Sequence, residues 1–201
     1  MKGFIFSDSF HELKKTTTLT VSGALIALAI ILRAVAIQIT PEIRITFAFI
    51  PIMAIAMLYG PFVAVIANVS TDFLGFLIDT KSSRGYNPFL MIVVIIAAVI
   101  YGCFLYRKNI NMGIRLVMIG LARLTVVLVC NIGLNSYVLY KSYYNKDFSV
   151  FNIDNAFWTW FGARVIKNVF QLPVDIVLLL IILPAVAVSY KRVFRKNIRS
   201  F

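Results

Sequence analysis

PFLMIVVIIAAVIYGCFLY, residues 88–106, runs for nineteen residues without a charge. A helix of that length rises about 28 Å at 1.5 Å per residue, close to the roughly 30 Å hydrocarbon thickness of a bilayer. The stretch reads as a membrane-spanning helix, and the rest of the chain repeats the pattern. Further mainly apolar stretches lie at about 18–39, 45–59, 60–78, 114–140 and 158–189, which gives six expected spans in a single membrane domain over residues 1–201. Of the 201 residues 61% are hydrophobic and only 14% charged, with a mean hydropathy of +0.90, so little chain is left for a soluble domain. The short segments of alternating polarity that a transmembrane barrel needs are absent from the sequence. The expected fold class is therefore an all-α integral membrane protein, a six-transmembrane-helix bundle.

The segment before the first span, MKGFIFSDSFHELKK, has no long apolar core and no small-residue cleavage site, so the first span is expected to act as the targeting signal. Phe6, Phe10 and Leu13 share a face at helical spacing, which suits a segment lying along the membrane surface. His11 receives no role. With six spans both ends share a side, and that side collects Lys2, Lys14, Lys15, Arg107, Lys108, Arg115, Lys191, Arg192, Arg195, Lys196 and Arg199. The opposite loops carry Arg44, Lys81, Arg84, Lys141 and Lys146, nearly balanced by Glu42, Asp79, Asp147 and Asp154. By the positive-inside rule the chain is expected to be a multi-pass protein of the cell membrane with both termini cytoplasmic. Much of the net charge of +12 is accounted for in this way, so no nucleic-acid partner is needed to explain it. The bilayer itself is the expected surrounding, and the basic run from Lys191 to Arg199 also suits anionic lipid.

Chemistry-bearing motifs are few. Cys103 and Cys130 fall in the fourth and fifth apolar stretches, where neither spacing nor depth suggests a disulfide or a metal site. The sequence contains no Walker A motif, no HExxH, no GxSxG and no paired acidic motif. The expectation is a protein that is not an enzyme, needs no cofactor or metal, and does not hydrolyse ATP by itself.

What remains is a set of polar side chains inside the apolar stretches: Arg33, Asp72, Asn135, Arg164 and Lys167. Counted from the expected ends of their helices, all lie roughly 8–14 Å below the outer surface. An unpaired charge at a helix centre costs several kcal/mol, so such groups face one another or a cavity rather than lipid. Three cations against one carboxylate suit an anionic guest, with Asn135 and Asp72 free to read polar edges. The same set would also serve as an internal network of salt bridges between helices. Arg123 and Asp175, nearer mid-membrane, are expected to form a structural ion pair.

The outward loops add aromatic and turn chemistry. Ile43 to Pro51, IRITFAFIP, places Arg44, Thr46 and two phenylalanines at the mouth of the second span. The loop DTKSSRGYNPF holds Gly85, Tyr86, Asn87 and Pro88, turn residues able to set an aromatic lid over a flat ligand. Tyr143, Tyr144, Phe148, Trp158 and Trp160 read as an interfacial belt. Phe47 and Tyr86 are the better stacking candidates. At the other end, Gly23 and Ala27, followed by Ala29, Ala34 and Ala36, give the first span a small-residue stripe that another helix can approach closely.

These residues resemble a known family. The chain looks like a substrate-binding S component of the energy-coupling factor (ECF) transporters, more narrowly its folate-specific branch. The resemblance lies in FSDSFHELKKTTTLTVSGALIALAIILR, IRITFAFIPI, LYGPFVAVIANVSTDFLGFLI, YNPF, LNSY and RVIKNVFQLPVDIVLL. Gly60-Pro61 with Asp72 and Gly75 twelve and fifteen residues on from Gly60 points to S components. The Arg-Phe-Pro string at the second span, and Arg164-x-x-Lys167 followed by Gln171-x-Pro173, point to folate. LNSYV stands where the family carries Asn-Thr and an aromatic pair, so Tyr137 lacks the usual tryptophan beside it.

The resemblance implies six helices with the vitamin bound near the outer face. It also implies partners, a transmembrane coupling protein and two cytoplasmic ATPases, and a docking motif at Gly23 and Ala27 that packs on the coupling protein. Folate needs a stacking face, polar readers and cations. On this basis Arg44, Arg164 and Lys167 are the expected carboxylate partners, Asp72 and Asn135 the readers, Phe47 and Tyr86 the stackers, with Arg33 and Asn87 completing the substrate site. An S component for riboflavin or pantothenate is an alternative. A self-sufficient secondary transporter is another, and it would be expected to show an internal repeat with paired broken helices.

Overall fold

The computed structural model describes residues 5–38, 44–78, 86–106, 112–143 and 155–194. Of the charges behind the expected orientation, Lys2, Glu42, Asp79, Lys81, Arg84, Arg107, Lys108, Lys146, Asp147, Asp154, Arg195, Lys196 and Arg199 lie outside these residues, as do Gly85, Tyr144 and Phe148. In chain order the elements are α1 (Ile5–Glu12), α2 (Thr16–Ala34), β1 (Ile37–Gln38), β2 (Arg44–Ile45), α3 (Phe49–Tyr59), α4 (Pro61–Ile78), α5 (Pro88–Leu105), α6 (Met112–Val126), a π-helical segment (Val127–Leu134), α7 (Asn135–Tyr143) and α8 (Asn155–Phe194). The fold is a helical membrane bundle that carries one short pair of strands.

Among the described residues, five helical stretches are long and apolar enough to cross a membrane: α2, α4, α5, the continuous helix Gly113–Ser142, and α8. The sixth, α3, is not. Its 11 residues rise about 16 Å, half of a hydrocarbon core. The stretch 45–59 was expected to be helical throughout, yet Arg44 and Ile45 pair antiparallel with Gln38 and Ile37. Thr46 then turns the chain: its hydroxyl accepts from the Ala48 N–H at 3.3 Å, and the helix starts only at Phe49. The first span likewise ends at Ala34 rather than 39 because β1 follows it.

Short as it is, α3 forms the centre of the bundle. FIPIMAIAMLY has no polar stripe, and a helix that is apolar on every side belongs in the interior. Ile50 to Tyr59 are all buried, and α2, α4, α5 and α8 pack around them.

The chain leaves α3 through Gly60, whose φ of +92° lies in the region that favours glycine. Pro61 follows as the first residue of α4, where its missing N–H costs nothing. The next two N–H groups, of Phe62 and Val63, are capped from far away. Ser9 Oγ accepts from them at 3.1 and 3.3 Å and donates to the Tyr59 carbonyl at 2.7 Å. One buried hydroxyl on α1 thus closes the end of one helix and the start of another. Phe10 packs edge-on to Phe62 at 5.2 Å, Leu13 packs on the core, and Phe6 and Phe10 stay exposed, as suits an element at a membrane surface. Tyr59 and Tyr190 of α8 meet at 5.9 Å, so α1, the α3–α4 turn and the last turns of α8 share one end of the bundle, here the terminal end.

Between α6 and α7 the helix widens. The Asn135 N–H bonds to the Cys130 carbonyl, a five-residue step, and Ser136 Oγ donates to the Asn131 carbonyl at 3.2 Å. Segments of this kind are rare and occur often at functional sites. We expect Ser9→Ala to lower the stability of the detergent-solubilised protein by about 0.5–2 kcal/mol, the range for a lost helix cap. An unchanged thermal midpoint would show that water replaces the hydroxyl at no cost.

Candidate functional site

α3 starts at Phe49, partway along the longer helices that pack around it. Polar side chains on those helices fall into two groups. On one side, Arg33 of α2 donates to Asp72 of α4, Nη1 to Oδ1 at 2.7 Å, with both side chains only partly exposed. Tyr86 Oη donates to the other oxygen, Oδ2, at 3.4 Å. Burial and the neighbouring carboxylate raise the Tyr86 phenol above its ordinary range, so it stays a donor. Its ring sits against Phe73 and Phe76, with centroids at 5.9 and 5.2 Å.

Gly75 makes room for this cluster. A Cβ there would stand 2.7 Å from Arg33 Cδ and 3.0 Å from Nε, so the arginine lies across the bare backbone one turn above Asp72. Asp72 was expected either to read a ligand's polar edges or to join an internal network of salt bridges. Both of its oxygens are in fact engaged, because a cation and a phenol within reach neutralise a carboxylate that would otherwise be costly at this depth.

On the other side, Arg164, Lys167, Gln171 and Asp175 recur at helical spacing along one face of α8. The Arg164 guanidinium lies 4.9 Å from the Trp160 ring centroid, which gives that tryptophan a partner beyond an interfacial role. Lys167 is half-buried and makes no hydrogen bond among the described residues. Asn135, at the start of α7, has a side-chain carbonyl that is buried and without a hydrogen-bond partner among them.

Deeper, the expected Arg123–Asp175 ion pair is present, Nη2 to Oδ2 at 2.6 Å and Nε to the same oxygen at 3.1 Å. Arg123 also donates to Tyr101 Oη at 2.8 Å and lies 3.6 Å from the Phe49 ring centroid. Gln171 Nε2 donates to Asp175 Oδ1 at 3.3 Å.

The other predicted residues are placed as follows. Asn87 caps α5, accepting from the Phe89 N–H at 3.1 Å, and its amide donates to Ser142 Oγ at 2.8 Å, which ties the lid loop to α7. Phe47 is half-buried against the core. Arg44 is described only as backbone, in β2. Gly23 and Ala27 sit on an exposed face of α2, and nothing lies within 4 Å of the Cβ position of Gly23. The structure thus joins Arg33, Asp72 and Tyr86, and separately lines up Arg164 and Lys167. Gly75 was named from the sequence only as part of the family pattern, because its packing against Arg33 needs the third dimension. Gln171 likewise entered only as part of the Gln171-x-Pro173 string, although its i, i+3, i+7 spacing from Arg164 was available.

Comparison with known proteins converges on one family. The sequence model described as "ECF transporter, substrate-specific component" matches residues 17–183. The folate transporter FolT of Clostridium novyi (strain NT) is 35% identical over 120 residues, 59% of this chain and 68% of the relative. Among solved structures, the crystal structure of FolT bound with folic acid matches with a TM-score of 0.65 at 30% identity, over 81% of this chain and 89% of that one.

Gly75→Ala should displace Arg33 at a cost of about 1–3 kcal/mol, the range for overpacking. The loss should shrink when Arg33 is already alanine, a double-mutant cycle read from thermal unfolding in detergent. Equal losses in both backgrounds would disconnect Gly75 from the arginine.

Proposed function

The chain belongs to the substrate-specific components of ECF transporters, a family of transport proteins rather than enzymes, and we propose that within it this protein is the folate-binding subunit of an importer. The observation that carries the reading is the pair of cations one turn apart on α8, Arg164 and Lys167, set among buried amide groups at the level of the membrane. That arrangement suits a ligand with carboxylates at one end and a hydrogen-bonding heterocycle at the other. The likeness to a folate transporter, and to a structure holding folic acid, supports the same choice.

In this reading Arg164, Lys167 and Arg44 hold the glutamate carboxylates, and Phe47 and Tyr86 stack on the flat rings. Asn135 reads the pterin edge with its open carbonyl. Arg33 and Asp72 anchor Tyr86, and Asn87 anchors the loop that carries it, so these three shape the site. The protein is a single domain of the cell membrane with both termini cytoplasmic, which puts the terminal end inside and the candidate site toward the outside. It captures the vitamin from outside and docks on a transmembrane coupling protein, and two cytoplasmic ATPases drive the reorientation that releases the ligand inward. The exposed small-residue face around Gly23 and Ala27 is the docking surface, since a helix can approach closely there.

Two experiments test this. Folic acid titrated into the purified protein and followed through Trp160 fluorescence should bind without displacement by riboflavin, pantothenate or biotin. Arg164→Ala and Lys167→Ala should each weaken that binding by about 2–5 kcal/mol, as for truncating one partner of a buried charge pair. Folate affinity unchanged in both variants would remove these residues from the site. Leucine at positions 23 and 27 should abolish uptake in cells carrying the full transporter while leaving folic acid binding intact. If binding is lost instead, the face belongs to the fold.

A further inference from the structure

The polar face of α8 continues beyond Arg164 and Lys167 to Gln171, one further turn into the bundle, and the orientation of its amide is determined by what lies below. A carboxylate accepts and cannot donate, so the nitrogen must be the atom facing Asp175, here at 3.3 Å, and the carbonyl is turned away. Asp175 cannot swing aside to release it. Its other oxygen takes two hydrogen bonds from Arg123, at 2.6 and 3.1 Å. Arg123 in turn is held by Tyr101 Oη at 2.8 Å and by the face of Phe49 at 3.6 Å.

The product of this chain of contacts is an oriented acceptor. Gln171 Oε1 is buried and has no hydrogen-bond partner among the described residues. An acceptor shielded from water without a donor carries a desolvation cost that a ligand N–H would offset. Its level is set by Phe49, the first residue of α3, which touches Arg123 one helical turn below Gln171. The acceptor therefore sits close to the level where α3 begins, one turn along α8 from Lys167 and two from Arg164.

Resting on the folate reading above, we propose that Gln171 is a specificity-determining residue whose side-chain carbonyl accepts an N–H from the ligand's flat heterocycle. Asp175, Arg123 and Tyr101 are positioning residues that keep the carbonyl aimed. A site built to hydrogen-bond one donor discriminates strongly against analogues lacking it. The heterocycle of folate presents N–H donors along one edge, whereas its carboxylate end belongs with the cations.

The test compares whole folic acid with its parts. Binding of folic acid, 6-hydroxymethylpterin (heterocycle only) and p-aminobenzoyl-L-glutamate (amide and both carboxylates, no heterocycle) is measured for the wild-type protein and for Gln171→Leu. The variant should weaken folic acid and 6-hydroxymethylpterin by about tenfold or more, while p-aminobenzoyl-L-glutamate stays within about twofold. Gln171→Met, nearly the same length without the carbonyl, should give the same pattern and replaces the leucine variant if that one is not recovered folded. Equal losses for folic acid and the tail fragment, or no loss at all, would overturn the assignment of Gln171 alone. A wild-type protein that binds no folic acid would overturn the folate reading and this inference with it.

Discussion

A guanidinium in the middle of a bilayer must be neutralised by groups that cannot move away, and in this protein that requirement falls on Arg123. Its partners come from three other helices: Asp175 from α8, Tyr101 from α5 and Phe49 from α3. Four of the main helices are therefore fixed in rotation and height at a single point. Removing one partner of such a buried pair typically costs about 3–5 kcal/mol, because the remaining charge is left without compensation. The apolar contacts elsewhere are replaceable by lipid; this junction is not. It is also the reference level for the candidate site, since Phe49 begins α3 here and Gln171 stands one turn above.

The short central helix has a second effect. A full-length α3 would fill the bundle with apolar side chains from end to end. Because it begins at Phe49, the helices around it run past its end, and two walls there carry Arg33 with Asp72 and Arg164 with Lys167. The two walls are chemically different. One has a cation already matched by a carboxylate and a phenol, and the other has two cations in succession with neutral amides nearby.

Much of this was legible in the sequence, for identifiable reasons. Burial in lipid demands long apolar runs, and those runs showed the helices plainly. Charges inside them were few enough that Arg123 and Asp175 had only each other at that depth. The failures also have physical causes. Hydropathy reports that a residue avoids water, not whether its backbone is helical, so residues 45–47 read as the start of a span when Ile45 pairs in a strand and Thr46 turns the chain before α3. Depth along a helix was readable from residue counting, but rotation about it was not, so Asp72 read as open when Arg33 already occupies it. Ser9 capping α4 joins positions more than fifty residues apart and leaves no local signature. The family resemblance named the right fold, while the room Gly75 leaves for Arg33 and the hydrogen bond from Gln171 to Asp175 became visible only with the side chains in place.

The π-helical segment carries a consequence for comparing this protein with its relatives. A five-residue step accommodates one residue more than an α-helical turn, so a chain with one residue fewer between Val127 and Leu134 would run as a plain α-helix and still present α7 on the same face. Two homologues could keep the same amide in space while their sequences need a one-residue gap here to match, and an ungapped alignment would pair Asn135 with a residue on another side of the helix.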